Sequence, residues 1–237
     1  MFDSYTLKAR VYPVIILFFP IFIVGVFYSL KFESYIQVFT SIGLVGALSY
    51  LMSQFGRDLG KKREPNLWKE WGGMPSIQLL RLNNQEIDKY TKQRYHIKMQ
   101  GLIPVQNPPD STMEANNPND ADEIYKAWCK YIIHHTRDES KYPLLLKENT
   151  SYGFRRNLWG LKFYGITLTM LLFVINYLFF VKECGFLNPL EMPLNFHYCS
   201  LSLIIIIVIW LFIITKSWVK LVAFAYAERL CESIESI

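Results

Sequence analysis

Two short runs hold most of the side chains that could do chemistry: residues 56–71 (GRDLGKKREPNLWKEW) and residues 152–162 (YGFRRNLWGLK). Arg57, Lys61, Lys62, Arg63, Arg155 and Arg156 supply cationic donors, and Trp68, Trp71 and Trp159 supply aromatic faces. Arginine forks match phosphate oxygens, and bases stack on aromatic rings for about 1–3 kcal/mol each. These residue types therefore suit an anionic ligand, a nucleotide or a single-stranded oligonucleotide. Lys89, Lys92, Arg94, His96 and Lys98, interleaved with Tyr90 and Tyr95, could extend the same surface. A second explanation needs no ligand. Lys and Arg beside a membrane meet anionic lipid headgroups for about 1 kcal/mol each, and tryptophan prefers the interface.

Other chemistries fit less well. Gly56-x-x-x-Gly60-Lys61 has three residues between its glycines and ends in Lys-Lys. A phosphate loop needs four, a preceding strand and a closing Ser or Thr. His134-His135, with Arg137, Asp138 and Glu148, has acid–base residue types. Neighbouring side chains on a helix point about 100° apart, so the two imidazoles do not easily share one ligand. No Cys/His group has zinc spacing. No catalytic residue, metal or cofactor is expected, and the chain reads as a non-enzyme.

The elements that must position these residues come from the apolar pattern. The chain has 237 residues, 51% hydrophobic and 19% charged, with mean hydropathy +0.15. That balance excludes disordered, collagen-like and disulfide-dense classes. The apolar residues cluster in four windows without charge, and a helix needs about 20 such residues to cross the hydrocarbon core. The spans are expected at about 11–30, 34–55, 163–181 and 199–215. The stretch IIIIVIWLFII has no polar stripe of the kind a soluble helix needs. Pro13 and Pro20 are tolerated in a membrane helix. The first window is too long for the core of a cleaved signal peptide.

Orientation follows from the flanking charges. Lys8, Arg10, Arg57, Lys61, Lys62, Arg63, Arg155, Arg156, Lys162, Lys216 and Lys220 fall on one side, and only Lys31 and Lys182 on the other. Both termini are then cytoplasmic. The expected organisation is all-α: a transmembrane hairpin over 1–56, a mainly helical cytosolic ligand-sensing domain over 57–160, a second hairpin over 161–216, and a cytosolic C-terminal helix over 217–237. Within the insert, helices are expected at 76–83, at 85–99 behind an Asn84 cap, and at 120–135 behind Asn119. The proline- and asparagine-rich stretch 101–120 is a linker or ligand-facing loop. Residues 54–160 carry 17 Lys and Arg against 13 Asp and Glu, hence +4 of the chain's +5. Cys184 and Cys199 flank an outer loop, where a disulfide would add about 3 kcal/mol by chain entropy. Two unpaired thiols are the alternative. Cys129 and Cys231 would face the reducing cytosol.

No span contains Asp, Glu, Lys, Arg or His, which disfavours proton relays, ion-coupled transport and voltage sensing. The second span is the polar one. Gln37, Thr40, Gly43, Ala47, Tyr50 and Gln54 fall near one stripe. That stripe either packs inside a bundle or lines a mostly apolar pore in a homo-oligomer, with a tetramer favoured. The acidic helix DADEIYKAWCKYIIHH offers a different function, docking a cytosolic partner onto a membrane-anchored scaffold.

The head FDSYTLKAR, the run GRDLGKKREPNLWKEWGG and the run YGFRRNLWG, framed by four spans, resemble the small membrane effectors of nucleotidyltransferase-associated bacterial anti-phage systems, of the Hailong channel type. The resemblance implies an oligomeric ion channel in the bacterial inner membrane. It also implies a nucleotidyltransferase partner whose oligonucleotide product holds the channel closed, and abortive infection as the outcome. On residue type, Arg57, Lys61, Lys62, Arg63, Trp68, Arg155 and Arg156 are the ones such a ligand would meet.

Overall fold

The computed structural model describes residues 4–29 and 35–237, and of residues 29 and 35–49 the backbone alone. All regular structure among the described residues is helical. Helix α1 covers residues 4–29, α2 Tyr35–Trp71, α3 Pro75–Leu80, α4 Lys89–Leu102, α5 Ser111–Asn116, α6 Pro118–His135, α7 Pro143–Cys184, α8 Leu194–Val208 and α9 Lys216–Glu232. The chain forms two compact units. A first unit takes Met1–Arg63 and Gly153–Val219, and a second takes Glu64–Tyr152 and Lys220–Ile237. The unit boundaries thus fall inside α2, α7 and α9. They also differ from the expected 57 and 160, and residues 220–237 join the inserted unit instead of standing apart. The reason is burial: Ala227, Leu230, Cys231 and Ile234 share a core with Tyr95, Met99, Tyr125 and Trp128.

Among the described residues, three helices are long and apolar enough to cross a membrane: Ser4–Tyr28, a window of α7 (Pro143–Cys184), and Leu194–Ile213. The expected second span falls on α2, where the side chains up to residue 49 lie outside the described residues. Three sequence features explain how α1, α2 and α7 meet. Pro13 has no N–H, so the Ala9 carbonyl four residues earlier loses its α-helical donor. The chain widens into a π-turn over Leu7–Val11, and Asn157 Nδ2 donates to Ala9 O at 2.8 Å. Glycines bring α2 onto α7. A Cβ on Gly160 would lie 2.7 Å from Gly60 N, and one on Gly60 would lie 3.0 Å from Asn157 Cα. The Gly56-x-x-x-Gly60 run is therefore a close helix–helix seat, the use small residues have in membranes. Finally, Asn176 is buried in a polar chain, accepting from Tyr28 OH at 3.0 Å and donating to Ser200 Oγ at 3.0 Å.

The end of α8 is held in a comparable way. A π-turn over Ile209–Ile213 precedes the break at Ile214 and leaves carbonyls without helical donors. Lys162 Nζ donates to Leu211 O at 3.0 Å and Ile214 O at 2.9 Å. Below them Val14, Leu17, Leu158, Leu161, Ile206 and Trp210 form the unit's core. Cys184 and Cys199 are both free thiols. Cys199 is buried, and Cys184 packs at the rim of the Phe180–Met192–Phe196 cluster.

In the inserted unit, α2 stops at two glycines. Gly72 (φ +92) and Gly73 (φ +131) close a Schellman turn, with Gly73 N on Trp68 O at 2.7 Å and Gly72 N on Lys69 O at 3.4 Å. Pro75 then starts α3, and Pro118 starts α6 behind Asn117, each at the position where its fixed φ suits a first helical residue. The expected start of α4 at 85 moves to 89. Asn84 spends its side chain on Glu86 N in a local turn, and Asp88 Oδ1 is the true cap, accepting from Tyr90 N at 3.1 Å and Thr91 N at 2.9 Å. Within the 101–120 stretch, residues 103–110 and 117 are irregular, and the remainder belongs to the end of α4, to α5 and to the start of α6. Cys129 and Cys231 lie in the core, where burial pushes the Cys129 thiol up to about 11 and raises Cys231 as well. Both are poor nucleophiles as a result.

Candidate functional site

The sequence-predicted ligand residues lie on α2 and α7. Arg57, Lys61, Lys62, Arg63, Arg155 and Arg156 belong to the first unit, and Trp68 and Trp71 to the inserted one. Several already hold protein groups. Arg63 Nη1 donates to Gly160 O at 3.1 Å, with its guanidinium 6.0 Å from the Trp159 ring. Arg155 Nη1 donates to Trp218 O at 2.9 Å and lies 4.6 Å from the Trp218 ring. Arg156 is 5% exposed, with Nε and Nη2 on Asn157 Oδ1 at 3.2 and 3.1 Å. Trp68 Nε1 donates to Tyr152 OH at 3.3 Å, and that hydroxyl donates to buried Glu64 at 2.7 Å. Arg57 lies 3.7 Å from Asp58, while Lys61 and Lys62 stand exposed. The members open to solvent are thus Arg57, Lys61 and Lys62.

Of the expected pore stripe, Gln37, Thr40, Gly43 and Ala47 lie outside the residues with described side chains. Tyr50 is half exposed, Gln54 is partly exposed, and Ser53 Oγ between them donates to Tyr50 O at 2.6 Å. His134 and His135 are exposed, and His135 stacks on Tyr131 at 3.9 Å. Among the described residues no group of three or more His, Cys, Asp or Glu could hold a metal.

The basic residues of α4 divide between two faces. Arg94 pairs with Glu235 at 3.1 Å and Lys98 Nζ donates to Glu235 O at 2.9 Å, so these two tie down the C-terminal segment. Lys89, Lys92, Gln93 and His96, spaced i, i+3, i+4 and i+7, face the other way. They line a groove of about 680 Å³ together with Leu82, Asn84, Gln85, Ile87, Asp88 and Ile97. Lys92 is 3% exposed, and its ammonium donates to the carbonyls of Arg81 (2.8 Å) and Asn84. Burial holds its pKa below the usual lysine range. The loop above is ordered by carboxylates. Glu114 accepts from Leu82 N, Asn83 N and Tyr125 OH, and Asp122 takes Arg81 in a fork at 2.9 and 2.6 Å.

His96 forms one wall, its ring 5.3 Å from Trp128 and 5.5 Å from Tyr125. Its Nε2 lies 2.8 Å from Leu80 O, and a carbonyl only accepts, so Nε2 carries the hydrogen. Burial pulls the imidazole below its ordinary pKa, with the Leu80 carbonyl acting the other way. The unfolded chain takes up a proton near pH 6.5 that the folded one refuses. The contribution of His96 is therefore complete above that pH and lost as pH falls below it. Melting of the detergent-solubilised protein between pH 7.5 and 5.5 should show a falling midpoint, and His96→Gln should flatten the fall. An equal fall in the variant would assign it to other groups.

The groove was only half visible in the sequence. The sequence reading put Lys89, Lys92, Arg94, His96 and Lys98 on one surface; the structure divides them between two faces, and nothing in the sequence signals that Lys92 is buried. Comparison with protein-family models, curated proteins and solved structures finds no match for this chain.

Proposed function

We propose that this chain is an oligomeric ion-channel effector of the bacterial inner membrane, gated by an anionic cytosolic ligand. One observation carries the reading. Helices α2 and α7 each supply residues to both units, and the unit boundaries at Arg63/Glu64 and Tyr152/Gly153 fall inside them. No linker of loop residues intervenes at either boundary, so a ligand that reorders the inserted unit acts on the same helices that enter the membrane unit. The four-span layout rests on the four charge-free apolar windows, and the cytoplasmic termini on the flanking Lys and Arg. The defence setting, the nucleotidyltransferase partner and the oligonucleotide rest on the resemblance given above.

The competing scaffold reading used the aromatic face of α6 as a docking surface. Tyr125, Trp128, Cys129 and Ile132 of that face are buried in the inserted unit's own core. That favours the channel. Replacing the membrane helices with an unrelated anchor discriminates between the two. A channel should lose all effect on membrane potential in expressing cells, whereas retained activity would establish a scaffold.

A further inference from the structure

We infer that the groove on α4 is the ligand site of the inserted unit, and that it takes a small phosphate monoester of nucleotide size. This rests on the reading of the chain as a ligand-responsive membrane protein and names the site and ligand class for it.

Lys92 points to an anion. An ammonium has three N–H donors, and two of these go to Arg81 O and Asn84 O, both uncharged. Among the described residues Lys92 has no carboxylate within ion-pair distance, and Glu114, which attracts it from farther off, has its oxygens on Leu82 N, Asn83 N and Tyr125 OH. Burying a charge without a partner costs several kcal/mol, which a methionine in its place would not. Asp88, the one acid in the lining, is exposed and caps α4 through Oδ1. Lys89 lines the same groove one turn earlier and is exposed. Both lysines therefore offer positive charge to an anion seated in this groove.

The remaining lining points to the rest of the ligand. About 680 Å³ is far more than a free phosphate fills and lies within the range of small-molecule sites, about 300–1,000 Å³. Asn84, Gln85 and Gln93 offer amide donors and acceptors. With Nε2–H committed to Leu80, His96 presents Nδ1 as an acceptor for an amine or hydroxyl. Leu82, Ile87 and Ile97 supply apolar surface for a heterocycle. Among the described residues no Trp, Tyr or Phe lines the groove, so a strand of successive bases would lack its stacking platform. A single nucleotide fits these groups better than an oligonucleotide.

The test is isothermal titration of the full chain in detergent with AMP, GMP, CMP, UMP and inorganic phosphate, together with hydrogen exchange over residues 81–97. At least one nucleotide should bind and slow exchange there. Lys92→Met and Lys89→Gln should each weaken binding about tenfold or more, the scale of a hydrogen bond to a charged group. A combined Arg57→Gln, Lys61→Gln, Lys62→Gln variant should bind unchanged. Lys89 is exposed, so its variant carries the test if Lys92→Met does not fold. Absence of binding, unchanged affinity in the lysine variants, or loss in the triple variant would overturn the site. Inorganic phosphate binding as tightly as every nucleotide would overturn the ligand class. The channel reading fails separately. Nucleotide binding in the groove with liposomes that never conduct would remove the channel and leave the site. Conduction under nucleotide control with both lysine variants unaffected would remove the site and leave the channel.

Discussion

Gly160→Val should destabilise the membrane unit by about 3 kcal/mol or more, the upper end for overpacking a close contact. The added Cβ would meet Gly60 N at 2.7 Å and Gly60 Cα at 2.9 Å. Both are backbone atoms of another helix, so no side chain can swing away to make room. The two helices would have to separate, and three interactions would be lost with the seat: the Arg63 bond to Gly160 O, the fit of Gly60 against Asn157, and the bond from Asn157 to Ala9 O. Gly25→Ala is the control, since among the described residues nothing lies within 4 Å of its added Cβ. Thermal denaturation in detergent, followed by size-exclusion chromatography, should show an early loss of the monodisperse species for Gly160→Val and none for Gly25→Ala. Equal behaviour of the two variants would refute the close seat.

A loss of similar size is expected in the inserted unit from Trp128→Ala, about 3–5 kcal/mol for truncating a buried tryptophan. Trp128 is 1% exposed and packs edge-on against Tyr125 at 5.6 Å and His96 at 5.3 Å. Its removal empties the centre of the core that α4, α6 and the C-terminal residues share. The indole N–H is buried and has no hydrogen-bond partner among the described residues. Trp128→Phe therefore loses volume and no polar partner, and should cost clearly less than the alanine variant. Hydrogen exchange resolves the effect by region. Residues 75–135 and 220–237 should exchange faster in Trp128→Ala, with smaller changes over 163–208. Uniform acceleration along the chain would show that the two units do not unfold separately.

Three of the four expected spans fall on helices long and apolar enough to cross a membrane, and they were legible because such helices need an uninterrupted apolar run like IIIIVIWLFII. The helical character of the insert was legible too, but its boundaries were not. Asn84 and Asp88 are both good caps, and the choice between them depends on a local turn at Asn84 that competes with helix formation. The fate of the basic residues was the least legible. Arg63, Arg155 and Lys162 look identical, by type, to ligand-binding cations. Their actual partners are carbonyls of Gly160, Trp218, Leu211 and Ile214, which the sequence places as far as 97 residues away. Gly56 and Gly60 show the converse. Tested as a phosphate loop they fail, and only a facing helix reveals their use.

The most direct measurement of the central claim is ion flux from proteoliposomes holding the full chain. Potassium-loaded vesicles would be challenged with the four nucleoside monophosphates and, separately, with a short single-stranded oligonucleotide. A ligand-gated channel predicts conduction above protein-free vesicles in one ligand state, and a change of about tenfold on adding at least one of these probes, within the usual range of coupling between two sites. Flux equal to that of empty vesicles with and without every probe would contradict it.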